Sequence, residues 1–104
     1  MSRTHDEVEV QVQLQEGMEP QVQRYAKKKV MAVLAHTGRP VLYARVRLQR
    51  IANPAAVRPV IARAEIDLNG RPVHAEASAD SPHEAVDLLQ DRLQARLEHH
   101  HGHR

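Results

Sequence analysis

Val60-Ile61-Ala62-Arg63-Ala64-Glu65-Ile66-Asp67-Leu68-Asn69-Gly70-Arg71-Pro72-Val73-His74-Ala75-Glu76-Ala77 decides the fold. Ala62, Ala64, Ile66 and Leu68 fall on one side of the chain; Arg63, Glu65 and Asp67 fall on the other. Strict alternation of this kind marks a strand with one buried face. Asn69-Gly70 supplies two residues that tolerate positive φ, the requirement of a tight hairpin turn. Beyond it the alternation resumes, with Val73, Ala75 and Ala77 inward and His74 and Glu76 outward. Pro72 has no N–H to give, so it belongs at a strand start or on a sheet edge.

Working outward, Val41 to Arg50 alternates in the same way. Leu42, Ala44, Val46 and Leu48 are expected inside, with Tyr43, Arg45, Arg47 and Gln49 outside. Asn53-Pro54 and Pro59 frame the loop between these strands. Glu7 to Gln15 forms another strand, Val8, Val10, Val12 and Leu14 pointing inward. Pro20 to His36 reads as a helix, because Val22, Ala26, Val30, Val33 and Leu34 recur at steps of three and four. Thr37-Gly38-Arg39-Pro40 closes it. Ser81-Pro82-His83-Glu84 opens a second helix with an N-cap serine, a proline at the first helical position and a capping-box glutamate. That helix runs to about Glu98 on Ala85, Val86, Leu89, Leu93 and Leu97. The order is β-α-β-β-β-α. Alternating strands leave one sheet face wet, and two amphipathic helices cover the other. The expected fold is α+β: a two-layer sandwich with a four-stranded sheet and both helices on one face. The first β-α-β pairs its strands in parallel through a right-handed crossover, and the rest follow as an antiparallel meander.

The 104 residues are 41% hydrophobic, enough for one core. That core is aliphatic, since Phe and Trp are absent and the only aromatic residues besides histidine are Tyr25 and Tyr43. Without cysteine there are no disulfides and no thiolate chemistry, which suits the cytoplasm. No apolar run can span a bilayer, and the start of the chain has no apolar segment of a signal peptide. We expect one domain over residues 1–98 and a His-rich, disordered or vector-like tail over 99–104.

The net charge of +2 hides an asymmetry. Pro20 to Arg63 carries ten Lys and Arg residues and no acid, whereas five acids lie between His5 and Glu19 and eight follow Arg63. Such a block either pairs with the acidic flanks or faces an external polyanion. Arg24, Lys27 and Lys28 make a basic helix face, with Lys29 nearer its apolar edge. Arg45 and Arg47 make a stripe on the open sheet. Arg92 and Arg96 lie along the margin of the second helix's apolar stripe, where their stems pack and their heads reach out. Arg outnumbers Lys twelve to three, in keeping with forked contacts to phosphate. Without Phe or Trp there is no stacking platform for splayed bases. The expected ligand is therefore the phosphate backbone of a structured nucleic acid, read by shape.

Enzyme chemistry is not expected. Serine occurs only at positions 2, 78 and 81, and the four glycines stand singly, so no nucleophile elbow or phosphate-cradling loop exists. Asp87 and Asp91 read as a solvated helix face. His99, His100, His101 and His103 follow the last helix without evident second partners, and His74 and His83 read as surface residues. No metal, cofactor or small-molecule substrate is expected.

Two segments carry a resemblance. Tyr25-Ala26-Lys27-Lys28-Lys29-Val30 and Ala85-Val86-Asp87-Leu88-Leu89-Gln90-Asp91-Arg92-Leu93 resemble the helix motifs of the ribosome hibernation promoting factors, or ribosome-associated inhibitors. Tyr25, Lys28, Lys29 and Val30 match the first motif. Ala85, Asp87, Leu88, Asp91 and Leu93 match the second, with Arg92 in place of Lys. The resemblance implies a domain similar in fold to double-stranded-RNA-binding domains. It also implies a cytoplasmic, non-enzymatic translation inhibitor of stationary phase. Such a domain binds ribosomal RNA of the small ribosomal subunit in the mRNA and tRNA channel. It carries Lys28, Lys29 and Arg92 over as contacts; Arg24, Lys27, Arg45, Arg47 and Arg96 are added on charge alone. Long members of the family append a dimerisation domain, so this chain is expected to be a short form or an N-terminal domain, a monomer or weak dimer. A general binder of structured RNA and a protein-interaction or self-association module are the alternatives.

Overall fold

The computed structural model describes residues 9–52, 55 and 58–102, with the backbone alone for 99–102. Its elements are β1 (Gln11–Leu14), α1 (Gln21–Leu34), β2 (Val41–Arg50), β3 (Val60–Leu68), β4 (Arg71–Ala79) and α2 (Pro82–Gly102). The sheet runs β1-β2-β3-β4, with β1 parallel to β2 and the other pairs antiparallel. The α+β sandwich read from the alternation is the one that forms.

The hairpin turn behaves as its sequence requires. Asn69 and Gly70 take φ of 55° and 89°, the left-handed region that Asn and Gly enter most cheaply. Asp67 Oδ1 accepts the Gly70 N–H at 2.7 Å. Pro72 lies on β4, an edge strand. At the start of α2, Ser81 Oγ accepts the Glu84 N–H at 3.3 Å.

One layer of side chains joins sheet and helices. Ala44, Val46, Leu48, Val60, Ala62, Ala64, Ile66, Leu68, Val73, Ala77 and Ala79 face inward and are buried. Val22, Ala26, Val30 and Val33 descend from α1; Ala85, Val86, Leu89, Leu93 and Leu97 descend from α2. Helix α1 covers β1 and β2, α2 covers β3 and β4, and the helices touch each other. Alanines on the sheet beneath leucines of α2 interdigitate small with large, so a core without aromatic rings still closes.

Four expectations change. Leu42, expected inside, is 59% exposed. The β2–β3 register slips between Val41 and Tyr43, leaving Leu42 as an extra, unpaired residue. Helix α1 ends at Leu34, before His36, and the chain tightens through Thr37 to a Gly38 at φ 70°. The first strand is ordered as β from Gln11, and its expected Val8 lies outside the described residues. Helix α2 passes Glu98 and continues to Gly102, so the backbone of the expected tail begins as helix. The histidine side chains there, residues 103–104 and the Asn53-Pro54 pair lie outside the description.

Candidate nucleic-acid interface

Arg24 and Lys28 stand one turn apart on α1, exposed and turned away from the buried Val22, Ala26 and Val30. Neither has a carboxylate partner among the described residues. Lys27 lies beside them but reaches Glu9, Nζ to Oε2 at 2.8 Å. The hydrogen bond from Lys27, and then its charge, hold the Glu9 carboxyl below the usual carboxylate range. Both groups are exposed, so the pair adds little to stability and yields readily to a competing anion.

Lys29 belongs to a different group. Tyr25 O–H donates to Asp87 Oδ1 at 2.5 Å, and Lys29 Nζ lies 3.5 Å from the same oxygen. The Lys29 ammonium sits 5.4 Å from the Tyr25 ring centre, and the His83 ring packs against that tyrosine at 4.6 Å between centroids. Gln90 Nε2 donates to the Lys29 carbonyl at 3.1 Å, tying the helices a second time. Tyr25, Lys29 and Asp87 thus bring the two resemblance-bearing segments together as halves of one interhelical clasp. The hydrogen bond to Asp87 raises the Tyr25 phenol above its ordinary value, helped by desolvation. The charge of Tyr25 and then of Asp87 raises Lys29. A raised phenol binds its proton more tightly in the folded chain. The clasp is therefore whole below the ordinary phenol value and is lost as pH rises through the raised one. Asp87→Ala should bring the Tyr25 phenol down toward its ordinary value in an ultraviolet titration, with a lower thermal midpoint. An unchanged titration would dissolve the clasp.

Arg45 and Arg47 lie on the open sheet face, opposite the helices. Arg45 approaches Glu65 at 4.0 Å and stacks 5.4 Å from the Tyr43 ring centre. Its Nε is buried without a hydrogen-bond partner. Arg47 has only a neutral partner, donating from Nε to Gln13 Oε1 at 3.0 Å. Arg92 and Arg96 occupy a third place, the β4 edge. Arg92 Nη1 donates to the Glu76 carbonyl at 3.0 Å, occupying an edge acceptor that would otherwise be open to another strand. Arg96 lines a shallow depression with Arg63, His74 and Glu76.

The structure therefore brings Arg24 and Lys28 together, Arg45 and Arg47 together, and Arg92 and Arg96 together, but it does not unite the three pairs. Lys27, Lys29 and Arg45 each share their charge with an internal carboxylate. Sequence reasoning did not single out Arg63, which faces solvent beside Arg47; only the β2–β3 register reveals this. Among the described residues no group of three or more His, Asp or Glu side chains could hold a metal ion, and no helix is long and apolar enough to cross a membrane.

Comparison with known proteins gives the lineage. A ribosomal subunit interface protein from Coxiella burnetii superimposes with a TM-score of 0.65 at 21% identity, over 88% of this chain and 94% of that one. The N-terminal domain of Thermus thermophilus Protein Y gives 0.70 at 20% identity, over 88% and 98%. At such identities the likeness is one of fold. No curated protein matches this chain. The family model described as Sigma 54 modulation protein / S30EA ribosomal protein matches residues 4–104. With nearly its whole length matched, this chain belongs to the Sigma 54 modulation protein / S30EA ribosomal protein family.

Proposed function

We propose that this chain is a non-enzymatic, cytoplasmic translation inhibitor that binds the small ribosomal subunit. It holds ribosomal RNA phosphates in the channel used by mRNA and tRNA, and silences idle ribosomes. The observation that carries this reading is the exposed cation pair Arg24 and Lys28, with no carboxylate partner among the described residues, on a chain of this family. Two cations one turn apart, exposed and without a carboxylate partner among the described residues, are open to phosphate oxygens. Lys27 joins them once an RNA phosphate displaces Glu9, an exchange of one exposed pair for another. Arg47, Arg92 and Arg96 extend the contact to the sheet and its edge. Lys29 and Arg45 act next to RNA while each keeps a carboxylate of the protein beside it, Asp87 and Glu65.

The test is sedimentation of the chain with purified small subunits at rising salt. Of the proposed contacts, the five with no carboxylate partner among the described residues (Arg24, Lys28, Arg47, Arg92 and Arg96) set the expected slope. Log affinity against log salt should fall with a slope of about −4.5, near −0.9 per phosphate contact. Binding that ignores salt, or no binding, overturns the reading. A free RNA duplex that competes as well as the subunit would make the chain a general binder of structured RNA.

A further inference from the structure

The open sheet face is built in rows that cross all four strands. One row is Gln11, Arg45, Glu65 and His74; the next is Gln13, Arg47, Arg63 and Glu76. In the first row an arginine stands opposite a glutamate. In the second, Arg47 stands directly opposite Arg63. Like charges opposed across a strand pair destabilise a sheet, so packing offers no reason for this pairing. The two heads are drawn apart by their outer neighbours. Arg47 Nε donates to Gln13 Oε1 and Arg63 Nε donates to Glu76 Oε1, each at 3.0 Å. Both bonds use Nε, which leaves the Nη groups of both guanidiniums without a partner among the described residues.

The surroundings favour an anion. Glu65 is met by Arg45, Glu76 by Arg63, and Asp67 by the Gly70 N–H, so each carboxylate of this face already has a partner. Over the paired stretch of β1 and β2 the outward positions hold Gln11, Gln13, Gln15, Tyr43, Gln49 and the two arginines, with no carboxylate among these described residues; Glu9, just before β1, is held by Lys27. Neutral amides beside guanidiniums suit a phosphodiester and its sugar hydroxyls, which accept and donate hydrogen bonds without repelling.

We propose that Arg47 and Arg63 form a two-guanidinium clamp for one RNA phosphate, and that Glu76 is its internal competitor. The proposal rests on the reading of the chain as a ribosomal RNA binder and adds to it a contact on the face opposite α1. In the free protein Glu76 holds the Arg63 head, with both side chains about half exposed at 48% and 57%. An exposed pair of that kind is weak. A phosphate reaching Arg47 gains the second fork by displacing Glu76, and two planar forks then bind its oxygens bidentately. No bond is made or broken beyond these hydrogen bonds.

The experiment measures affinity for small subunits across a salt series. Arg63→Ala and Arg47→Ala should each weaken binding about tenfold and reduce the salt slope by about one. Glu76→Gln should tighten binding about threefold, because the amide no longer competes for Arg63. Arg47→Lys should keep the slope yet lose affinity, since an ammonium has the charge without the fork. Thermal unfolding of each variant checks that the sheet is intact. Wild-type affinity and slope in Arg63→Ala overturn the clamp and leave the functional reading standing, as does a Glu76→Gln variant that binds no tighter. An unmodified chain that fails to bind small subunits overturns the functional reading, and the clamp with it.

Discussion

Reversing Arg24 and Lys28 together to glutamate should weaken small-subunit binding by about 100-fold or more while leaving the unfolding midpoint within a few degrees. Each lost phosphate contact takes about one unit from the salt slope, and each new glutamate adds repulsion in its place. The unchanged midpoint follows from position. Both side chains are exposed on the outer side of α1, and no carboxylate among the described residues leans on them. Surface substitutions away from caps and buried networks stay near neutral. Lys27 is left intact on purpose, because its bond to Glu9 would mix a structural change into the result. A double reversal that binds normally would remove α1 from the interface. One that melts far earlier would make the pair structural.

Leu93→Ala should destabilise the chain by about 2–5 kcal/mol through lost burial and the cavity left behind. Leu93 is fully buried at the seat of α2, at 0% exposure. A domain of this size has a net stability of only about 5–15 kcal/mol, and each kcal/mol moves the midpoint by about 4–8 °C. The midpoint should therefore fall by about 8 °C or more. Below its lowered midpoint the variant should still bind small subunits, since no cation has moved. A midpoint lowered by only a degree or two would show that the core closes around the loss.

Much of this was legible in order along the chain. Alternation at 62–68 and 73–77 placed the inner and outer faces of two strands, and Asn69-Gly70 joined them, because both signals are local and repeat every two residues. Ser81-Pro82-His83-Glu84 set the start of α2 for the same reason. Leu42 was misplaced because a bulge breaks the period at one residue, and nothing in the one-dimensional pattern marks where a register slips. The exposed pair Arg24 and Lys28 followed from helical spacing. That neither meets a carboxylate among the described residues did not, because an ion pair such as Lys27 with Glu9 or Lys29 with Asp87 joins residues far apart in sequence.

The sequence by itself determined the two-layer fold, the aliphatic core and the excess of cations over residues 20–63, since period, turn chemistry and composition are properties of neighbouring residues. Only the tertiary structure decided which cations are spent and which are open. Strand register set Arg47 beside Arg63, and helix packing closed Tyr25 and Lys29 on Asp87. Charge acts through space, and the distances that govern it exist only once the chain has folded.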